Sequence, residues 1–309
     1  DMHPFLQLRK AQKTDADGER AAAQTMARSA VQEIVQMVSK QEPLYVPQFV
    51  ADWDPLELIA ILQSLELQAE TLQVAHILLQ LRPNDTGLML YLSDYLEQME
   101  DYNAAGHYAF AAAVIEPTKA DHFKRLAILQ EKGDDWKGAY GSWAQVIRLV
   151  ENPAAGDWVK FGQSAYFADM PRIAVKACES ALEKDPVDET ANALMGKVLQ
   201  HLEDFEASVP FLLQATKAGP QQADHWLRLA RSYESLDLRD HAVSALQAGY
   251  KAVPESGDIN FALGKMCREA GDDEKSLPFF EMAAELDPES SETAYELADS
   301  LMSLEKRVK

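Results

Sequence analysis

The sequence is poor in basic residues and has no long apolar run. Its 309 residues carry 50 acidic but only 29 basic side chains, so the formal net charge is −21. Such a surplus of negative charge disfavours nonspecific binding to nucleic acid or to an anionic membrane. No apolar run reaches the ~18 residues that a membrane-spanning helix needs, and the first residues match no signal-peptide pattern. We therefore expect a cytoplasmic protein with no membrane span and no nucleic-acid ligand, although an excised piece of a secreted protein would look the same.

Motifs that carry catalysis are missing as well. The sequence contains no phosphate-binding loop, no CxxC pair and no HExxH motif. Two aspartate–histidine pairs, Asp121-His122 and Asp224-His225, occupy positions 2 and 3 of their repeats. Each pair lies where a helix is expected to begin, so helix capping is the simpler interpretation and metal binding is the alternative. We expect no enzyme activity, no cofactor and no metal.

What the chain does contain is a period of 34 residues that runs through most of its length. The central copy has Trp226, Leu229, Ala230, Tyr233, Ala242, Leu246 and Pro254. The copy 34 residues earlier has Asn192, Met195, Gly196, Leu199, Ser208, Leu212 and Pro220. The copy 34 residues later has Asn260, Leu263, Gly264, Cys267, Ser276, Phe280 and Pro288. This spacing resembles the tetratricopeptide repeat (TPR), a helix-turn-helix unit of that length.

The resemblance implies an all-α fold, a right-handed α-solenoid of stacked TPR helix-turn-helix repeats with a concave partner-binding face. The closing prolines set the register of seven units: 52–85, 86–119, 120–154, 155–188, 189–222, 223–256 and 257–290. The unit 120–154 carries one extra residue near Asn152. Each unit is expected to form a helix A and then a helix B. Asp204 and Asp272 are placed to cap helix B, and Pro171 to begin it.

The two ends depart from the repeat. Residues 1–51 are predicted to form a non-repeat helical N-terminal cap, with a helix over Ala21–Lys40 and an extended stretch over 43–50. A lid that folds over the groove is the alternative. Residues 291–309 are predicted to form one terminal helix A, which is either a capping helix or a truncated repeat. We favour a piece of a longer protein.

The two cysteines, Cys178 and Cys267, lie at core positions three repeats apart. With helices packed about 8–10 Å apart, this separation is too large for a disulfide. We therefore expect two buried free thiols.

Basic residues concentrate on one expected surface. In TPR proteins, helix A positions 2, 5, 9, 12 and 13 line the concave face. Position 9 holds a base in three successive repeats, and two further bases lie nearby. The five candidate contacts are Lys197, Arg228, Arg231, Lys265 and Arg268. We predict that this basic track in repeats 189–290 binds an acidic ligand.

An alternative removes the need for a ligand. Three of these bases have an acid three or four residues further along, which allows ion pairs within one helix. The pairs are Arg231 with Glu234, Lys265 with Glu269, and Arg268 with Asp272. The track would then be a solvated face neutralised by its own helices.

Apolar residues lie beside the bases. Leu227 and Phe261 occupy position 5, while Tyr166 and Phe167 occupy positions 12 and 13. They are predicted to form shallow pockets for partner side chains, or else to pack neighbouring A helices together.

Two TPR subtypes do not match. The carboxylate clamp that grips chaperone C-termini needs Lys at position 5 and Asn at position 9, whereas Lys124 is followed by Ile128. The asparagine ladder of the O-linked N-acetylglucosamine transferase arm is also absent.

The sequence thus predicts a non-catalytic scaffold or adaptor that binds a partner protein or peptide, acidic and with apolar anchors, in its groove. The alternative is a recognition arm of a larger enzyme or of a secretion or assembly component. A groove for a polymeric anion such as an acidic polysaccharide is a third hypothesis. The sequence names neither the partner nor the oligomeric state.

Overall fold

A computed structural model describes residues 4–39 and 55–308. Within these ranges the chain forms 17 α-helices and no strand, which confirms the all-α class of helical repeats. The chain divides into two compact units, which meet in sequence between Leu149 and Val150.

The first unit contains eight described helices. They are α1 (Pro4–Ala16), α2 (Arg20–Ser39), α3 (Pro55–Ser64), α4 (Gln68–Leu81), α5 (Thr86–Gln98), α6 (Tyr102–Ile115), α7 (Ala120–Lys132) and α8 (Trp136–Leu149). Consecutive helices pair into antiparallel hairpins, and the hairpins stack on one another.

The second unit contains nine described helices. They are α9 (Ala155–Phe167), α10 (Pro171–Lys184), α11 (Glu189–His201), α12 (Phe205–Ala218), α13 (Ala223–Ser235), α14 (Arg239–Ala252), α15 (Gly257–Glu269), α16 (Asp273–Leu286) and α17 (Ser291–Val308). Here too each helix B contacts the helix A that follows it.

Side-chain caps fix where many of these helices begin. Asp204 accepts a hydrogen bond from the backbone N–H of Ala207, and Asp272 accepts one from Lys275. Pro171 is the first residue of α10, where its missing N–H costs nothing. These three sequence predictions are confirmed. Helix A has 13 residues and helix B has 14 in each unit from 86 to 290.

The turn between helix A and helix B always contains one residue with a left-handed backbone. At this place, repeat position 15, φ lies between 56° and 81°. The residues are Glu66, Glu100, Asp134, Asp169, Glu203, Asp237 and Gly271. Only one of the seven is glycine, although L-residues lose roughly 1–2 kcal/mol in this conformation. The packing of the two flanking helices therefore holds six acidic residues in a backbone conformation that is unfavourable for L-residues.

Charged residues join neighbouring repeats in the first unit. Arg125, at position 6 of its repeat, lies 2.7 Å from Asp94 and 2.5 Å from Glu97 of the preceding repeat. Glu97 occupies position 12 and also contacts Lys132 at 2.6 Å. The ion pairs therefore link α5 to α7 across the repeat boundary.

The N-terminal residues form a helical hairpin. The predicted helix over 21–40 is present as α2, with Val31 and Ile34 buried. The sequence analysis missed α1, whose Leu8 is fully buried. Because α1 packs on α3 and α2 packs on α4, this hairpin stacks on the first repeat as another repeat would. The predicted extended stretch over 43–50 lies outside the described residues.

Both cysteines are free thiols. Cys178 is fully buried, and burial raises the pKa of its thiol to about 12. Cys267 is only half-buried, so the prediction of full burial was wrong for this residue. It lies on α15 beside Asp272, and burial also raises its pKa.

None of the helices in the described ranges has both the length and the apolar character needed to cross a bilayer.

Candidate functional site

The candidate site lies on one side of the second unit. Its A helices are α9, α11, α13, α15 and α17, and each contacts the next A helix directly. We call the surface of these five helices the A-helix face. All nine predicted site residues belong to it, but they divide into separate groups.

The first group centres on Lys197 of α11. Its Nζ lies 4.8 Å from the ring centre of Tyr166 and 4.7 Å from that of Phe167, both on α9. The two rings meet edge to face at 5.3 Å. Burial lowers the pKa of Lys197, and the positive charge of Arg228 lowers it further against a smaller opposing effect of Asp224. The ammonium group is thus held against aromatic faces in a partly dry site.

Arg228 of α13 completes this group. Its Nε donates a hydrogen bond to Asp224 Oδ2 at 2.6 Å. Behind it, the Gln200 side-chain amide donates to the Arg228 carbonyl oxygen and to Ser232 Oγ, both at 2.7 Å. These bonds tie α11 to α13. The result is a hollow of about 160 Å³ to which Phe167, Lys197 and Arg228 contribute.

Arg231 stands apart on the exposed side of α13. Among the described residues, neither Arg231 nor Lys197 has a carboxylate oxygen within 4.0 Å. In the part of the chain that the structure describes, the expected pairs with Glu234, Glu269 and Asp272 do not come within 4.0 Å, although Arg228 pairs with Asp224 of its own helix and the charge of Arg231 acts to lower the pKa of Glu234. Two of the five bases therefore keep an unpaired charge.

The remaining two bases pair with α17 instead. Arg268 contacts Glu296 and lies 3.1 Å from Asp299. Lys265 lies 3.9 Å from Glu292, and its Nζ is 5.6 Å from the ring centre of Phe261. Both bases are thus partly neutralised by the next A helix, which the sequence analysis did not foresee.

A larger cavity lies between α13 and α15. It has a volume of about 610 Å³. Its apolar lining comes from Leu227, Phe261, Ala262 and Met266. Its charged lining comes from Glu234, Asp237, Arg239, Asp258, Lys265 and Glu269. The lining thus contains four acids and two bases, and one of these bases, Lys265, belongs to the predicted basic track.

The carboxyl of Glu234 shows the effect of this crowding. Partial removal from water raises its pKa, and the nearby negative charge of Glu269 raises it further. The bases Lys265, Arg239 and Arg231 act in the opposite direction but do not cancel the effect. Burial is thus the main cause of the raised pKa, and Glu269 adds to it.

Leu227 and Phe261 serve two purposes. Both line the cavity. Leu227 also packs against the buried core that surrounds Leu229 and Leu246, and the ring of Phe261 lies 5.9 Å from that of Phe280. From the sequence, these two residues were interpreted either as the lining of a pocket or as packing between A helices, and each interpretation describes part of the contacts of Leu227 and Phe261.

The acids of the cavity were missed although a signal was present. Asp258, Glu234 and Glu269 occupy positions 2, 12 and 13 of their repeats, which are positions that line the face in TPR proteins. Examining those positions for acids as well as bases would have found them.

The histidine pairs do not cap helices. Lys119 and Gln222 are the N-cap residues of α7 and α13, so the capping interpretation was wrong. His225 Nε2 lies 3.0 Å from Glu189 Oε1, and His122 Nε2 lies 3.6 Å from Glu116 Oε2. Across the described ranges, no group of three or more His, Cys, Asp or Glu side chains is arranged to hold a metal ion.

Comparison with known proteins supports the repeat assignment. The family described as "Tetratricopeptide repeat" matches residues 227–291. The cytochrome c-type biogenesis protein CycH of Rhizobium meliloti (strain 1021) is 40% identical over 65 residues. That match covers 21% of this chain and only 17% of the relative.

Solved structures share the fold at low sequence identity. The MamA protein has a TM-score of 0.51 at 16% identity, covering 54% of this chain and 91% of that one. YrrB, described as a TPR protein with an unusual peptide-binding site, has a TM-score of 0.51 at 14% identity, covering 61% and 96%. The Cut9–Hcn1 hetero-tetramer of APC/C has a TM-score of 0.52 at 14% identity, covering 91% and 52%. These structures show the same fold of stacked helical repeats, and the family model identifies a tetratricopeptide repeat at residues 227–291.

Proposed function

We propose that this protein is a non-catalytic scaffold whose A-helix face binds a segment of a partner protein. Tetratricopeptide repeats are a protein-interaction fold in general, and stacked repeats present extended binding surfaces. The observation that carries the proposal is Lys197, which has no carboxylate oxygen within 4.0 Å among the described residues and lines the same hollow as Phe167.

An acidic group of the partner fits at Lys197. This ammonium is desolvated by the rings of Tyr166 and Phe167 and repelled by Arg228, so its charge is under-compensated. A carboxylate that enters the hollow restores the missing counter-charge where water competes poorly. Arg231 offers a second contact on the solvent side of α13. We restrict the acidic contact to α11 and α13, because Lys265 and Arg268 already face acids.

Apolar residues of the partner complete the contact. Phe167 is 43% exposed although it is a large aromatic side chain. An aliphatic or aromatic partner residue that covers it removes apolar surface from water and excludes water from the Lys197 contact.

The test is a selection of peptides on the intact protein. A phage-displayed dodecamer library should yield sequences that combine acidic and apolar residues. The variant Lys197→Glu/Arg231→Glu should no longer enrich them, because like charges would then face each other. The matched control is Lys176→Glu/Lys217→Glu, which makes the same charge change at exposed residues of α10 and α12. Enrichment of the same peptides by both variants would refute the proposal.

A second candidate function is a recognition part of an assembly machine. It is favoured by the match to CycH, which is named a cytochrome c-type biogenesis protein. Affinity purification of the natural full-length protein from its own cells tests it. Co-purification of cytochrome c biogenesis proteins would favour this candidate, whereas their absence from the purified material would favour an adaptor outside such a machine.

A further inference from the structure

We propose that the cavity between α13 and α15 receives a basic side chain, arginine or lysine, of the bound partner segment. The inference rests on the proposed function, since it adds a second contact to the same A-helix face. It assigns this cavity the opposite charge preference from the hollow at Lys197.

The cavity has the size and the lining of a binding site. Its volume of about 610 Å³ falls within the range of about 300–1,000 Å³ that is usual for ligand sites. Three helices (α13, α14 and α15) and the turn after α13 contribute to it, and Phe261 and Met266 supply apolar surface. The space therefore admits a long side chain together with part of its backbone.

The charges of the lining select a cation. Among the described residues, Glu234, Asp237 and Asp258 have no basic group within 4.0 Å. Glu269 is the exception, because its carboxylate lies 3.0 Å from Arg239 Nη2. Lys265, the other base of the lining, is oriented towards Glu292 of α17. A cation that enters the cavity meets three carboxylates that have no ion-pair partner within 4.0 Å among the described residues.

The position of Glu234 strengthens this argument. Its carboxyl is partly withdrawn from water and lies in the field of Glu269. Two acids that repel each other in a partly dry site are stabilised by a positive charge placed near both. The planar guanidinium group of arginine suits this arrangement, because its five donors can serve more than one carboxylate.

The apolar part of the lining explains why the cation should be a side chain rather than a small ion. Arginine and lysine carry long aliphatic stems that pack on apolar surface while the charged end reaches polar groups. Leu227 and Phe261 offer that surface at the same cavity. Phe261 already faces the Lys265 ammonium at 5.6 Å, so its ring is accessible to a cation.

The test uses defined peptides and the full chain. The probes are capped pentapeptides with a central arginine, lysine or citrulline between two leucines. Citrulline keeps the shape of arginine but has no charge. The signal is the ¹³C-methyl resonance of Met266, which lines the cavity. We expect saturable shifts with the arginine and lysine peptides and at least about tenfold weaker binding of the citrulline peptide.

Variants of the lining separate this site from the rest of the surface. Glu234→Gln/Asp258→Asn should weaken the arginine peptide at least about tenfold. The matched control Glu281→Gln/Glu285→Gln removes the same charge from exposed residues of α16 and should leave binding unchanged. Lys265→Gln should tighten binding of the arginine peptide, because it removes a competing positive charge.

Three results would overturn the inference: equal binding of the arginine and citrulline peptides, no effect of Glu234→Gln/Asp258→Asn, or weaker binding to Lys265→Gln. Since Lys265→Gln is expected to act in the opposite direction from the acid variants, general damage to the fold cannot imitate both results. If acidic peptides still depend on Lys197 and Arg231, the proposed function stands and only this inference fails. If that dependence is lost as well, both fail.

Discussion

Replacing Gly196 with alanine tests how closely the helices of one repeat approach each other. Gly196 lies on α11, and a Cβ atom added to it would be 2.5 Å from both Cγ and Cδ2 of Leu212 on α12. Contacts under 3.0 Å do not occur for real Cβ atoms, so an atom must move. Leu212 is fully buried and cannot turn into solvent. The two helices must therefore separate or the leucine must leave its preferred rotamer.

Two opposing effects set the size of the change. Alanine is better than glycine inside a helix by about 1 kcal/mol, whereas overpacking a filled core costs about 1–3 kcal/mol. Gly196→Ala should therefore lower stability by up to about 2 kcal/mol. At Gly162 the nearest contact of the new atom is looser, 3.1 Å from Ala177 Cβ, so the loss should be smaller. Gly141→Ala meets nothing within 4 Å and should gain about 1 kcal/mol.

Hydrogen exchange read by mass spectrometry is the suitable assay, because repeat arrays open locally and one global unfolding energy does not describe them. Protection should fall first in α11 and α12 of Gly196→Ala. A double-mutant cycle with Leu212→Ala isolates the contact. Once the leucine is shortened, Gly196→Ala should become stabilising. If Gly196→Ala raises protection in the wild-type background as Gly141→Ala does, the close approach of these helices is not a constraint.

Three further predictions concern single residues. Glu203→Gly should raise the melting temperature slightly in calorimetry, because glycine accepts the left-handed backbone that costs other residues roughly 1–2 kcal/mol; a lower melting temperature would show that the carboxylate itself is needed. In an NMR pH titration, Lys197 should lose its proton at lower pH than ordinary lysines, and Lys275 at higher pH, since burial lowers the pKa of the first and a hydrogen bond to an acid raises that of the second. Stability should rise with pH as Lys197 deprotonates, because the unfolded chain holds that proton more tightly in this range. Cys267 should react with a thiol reagent in the native protein well before Cys178, which is fully buried with a pKa of about 12; equal rates would mean that the core around α10 opens freely.

The fold could be predicted from the sequence because its signals are local and repeated. The proline near the end of each repeat shows where the repeat ends. Cap residues such as Asp204 lie within three residues of the backbone groups that they bind. The first helix was missed because Leu8 and Ala11 are fully buried in a hairpin that lacks the repeat's landmark residues. The helix α1 stacks on α3 through apolar contacts, and no short sequence motif predicts such contacts.

The site could be predicted only in part. Residue positions on helix A predict Lys197 and Phe261 on one face, but they do not show which charges lack an ion-pair partner. Arg268 pairs with Asp299, 31 residues further along the chain, rather than with an acid of its own helix. Such pairing depends on the rotation and the spacing of successive helices, and these emerge only when the repeats are packed. The acidic cavity arises in the same way from α13 and α15 together.

The ion pairs that join neighbouring repeats also bear on how the gene can change. In the first unit an acid at position 12, Glu97, faces a base at position 6 of the next repeat, Arg125. In the second unit the polarity is reversed, because Arg268 at position 12 faces Glu296 at position 6. Joining repeat 257–290 to repeat 120–154 would set Arg268 against Arg125. Joining repeat 86–119 to the last helix would set Glu97 against Glu296. A duplication or deletion that joined these repeats would thus place like charges at the junction, and the ion pairs favour the present order of the repeats.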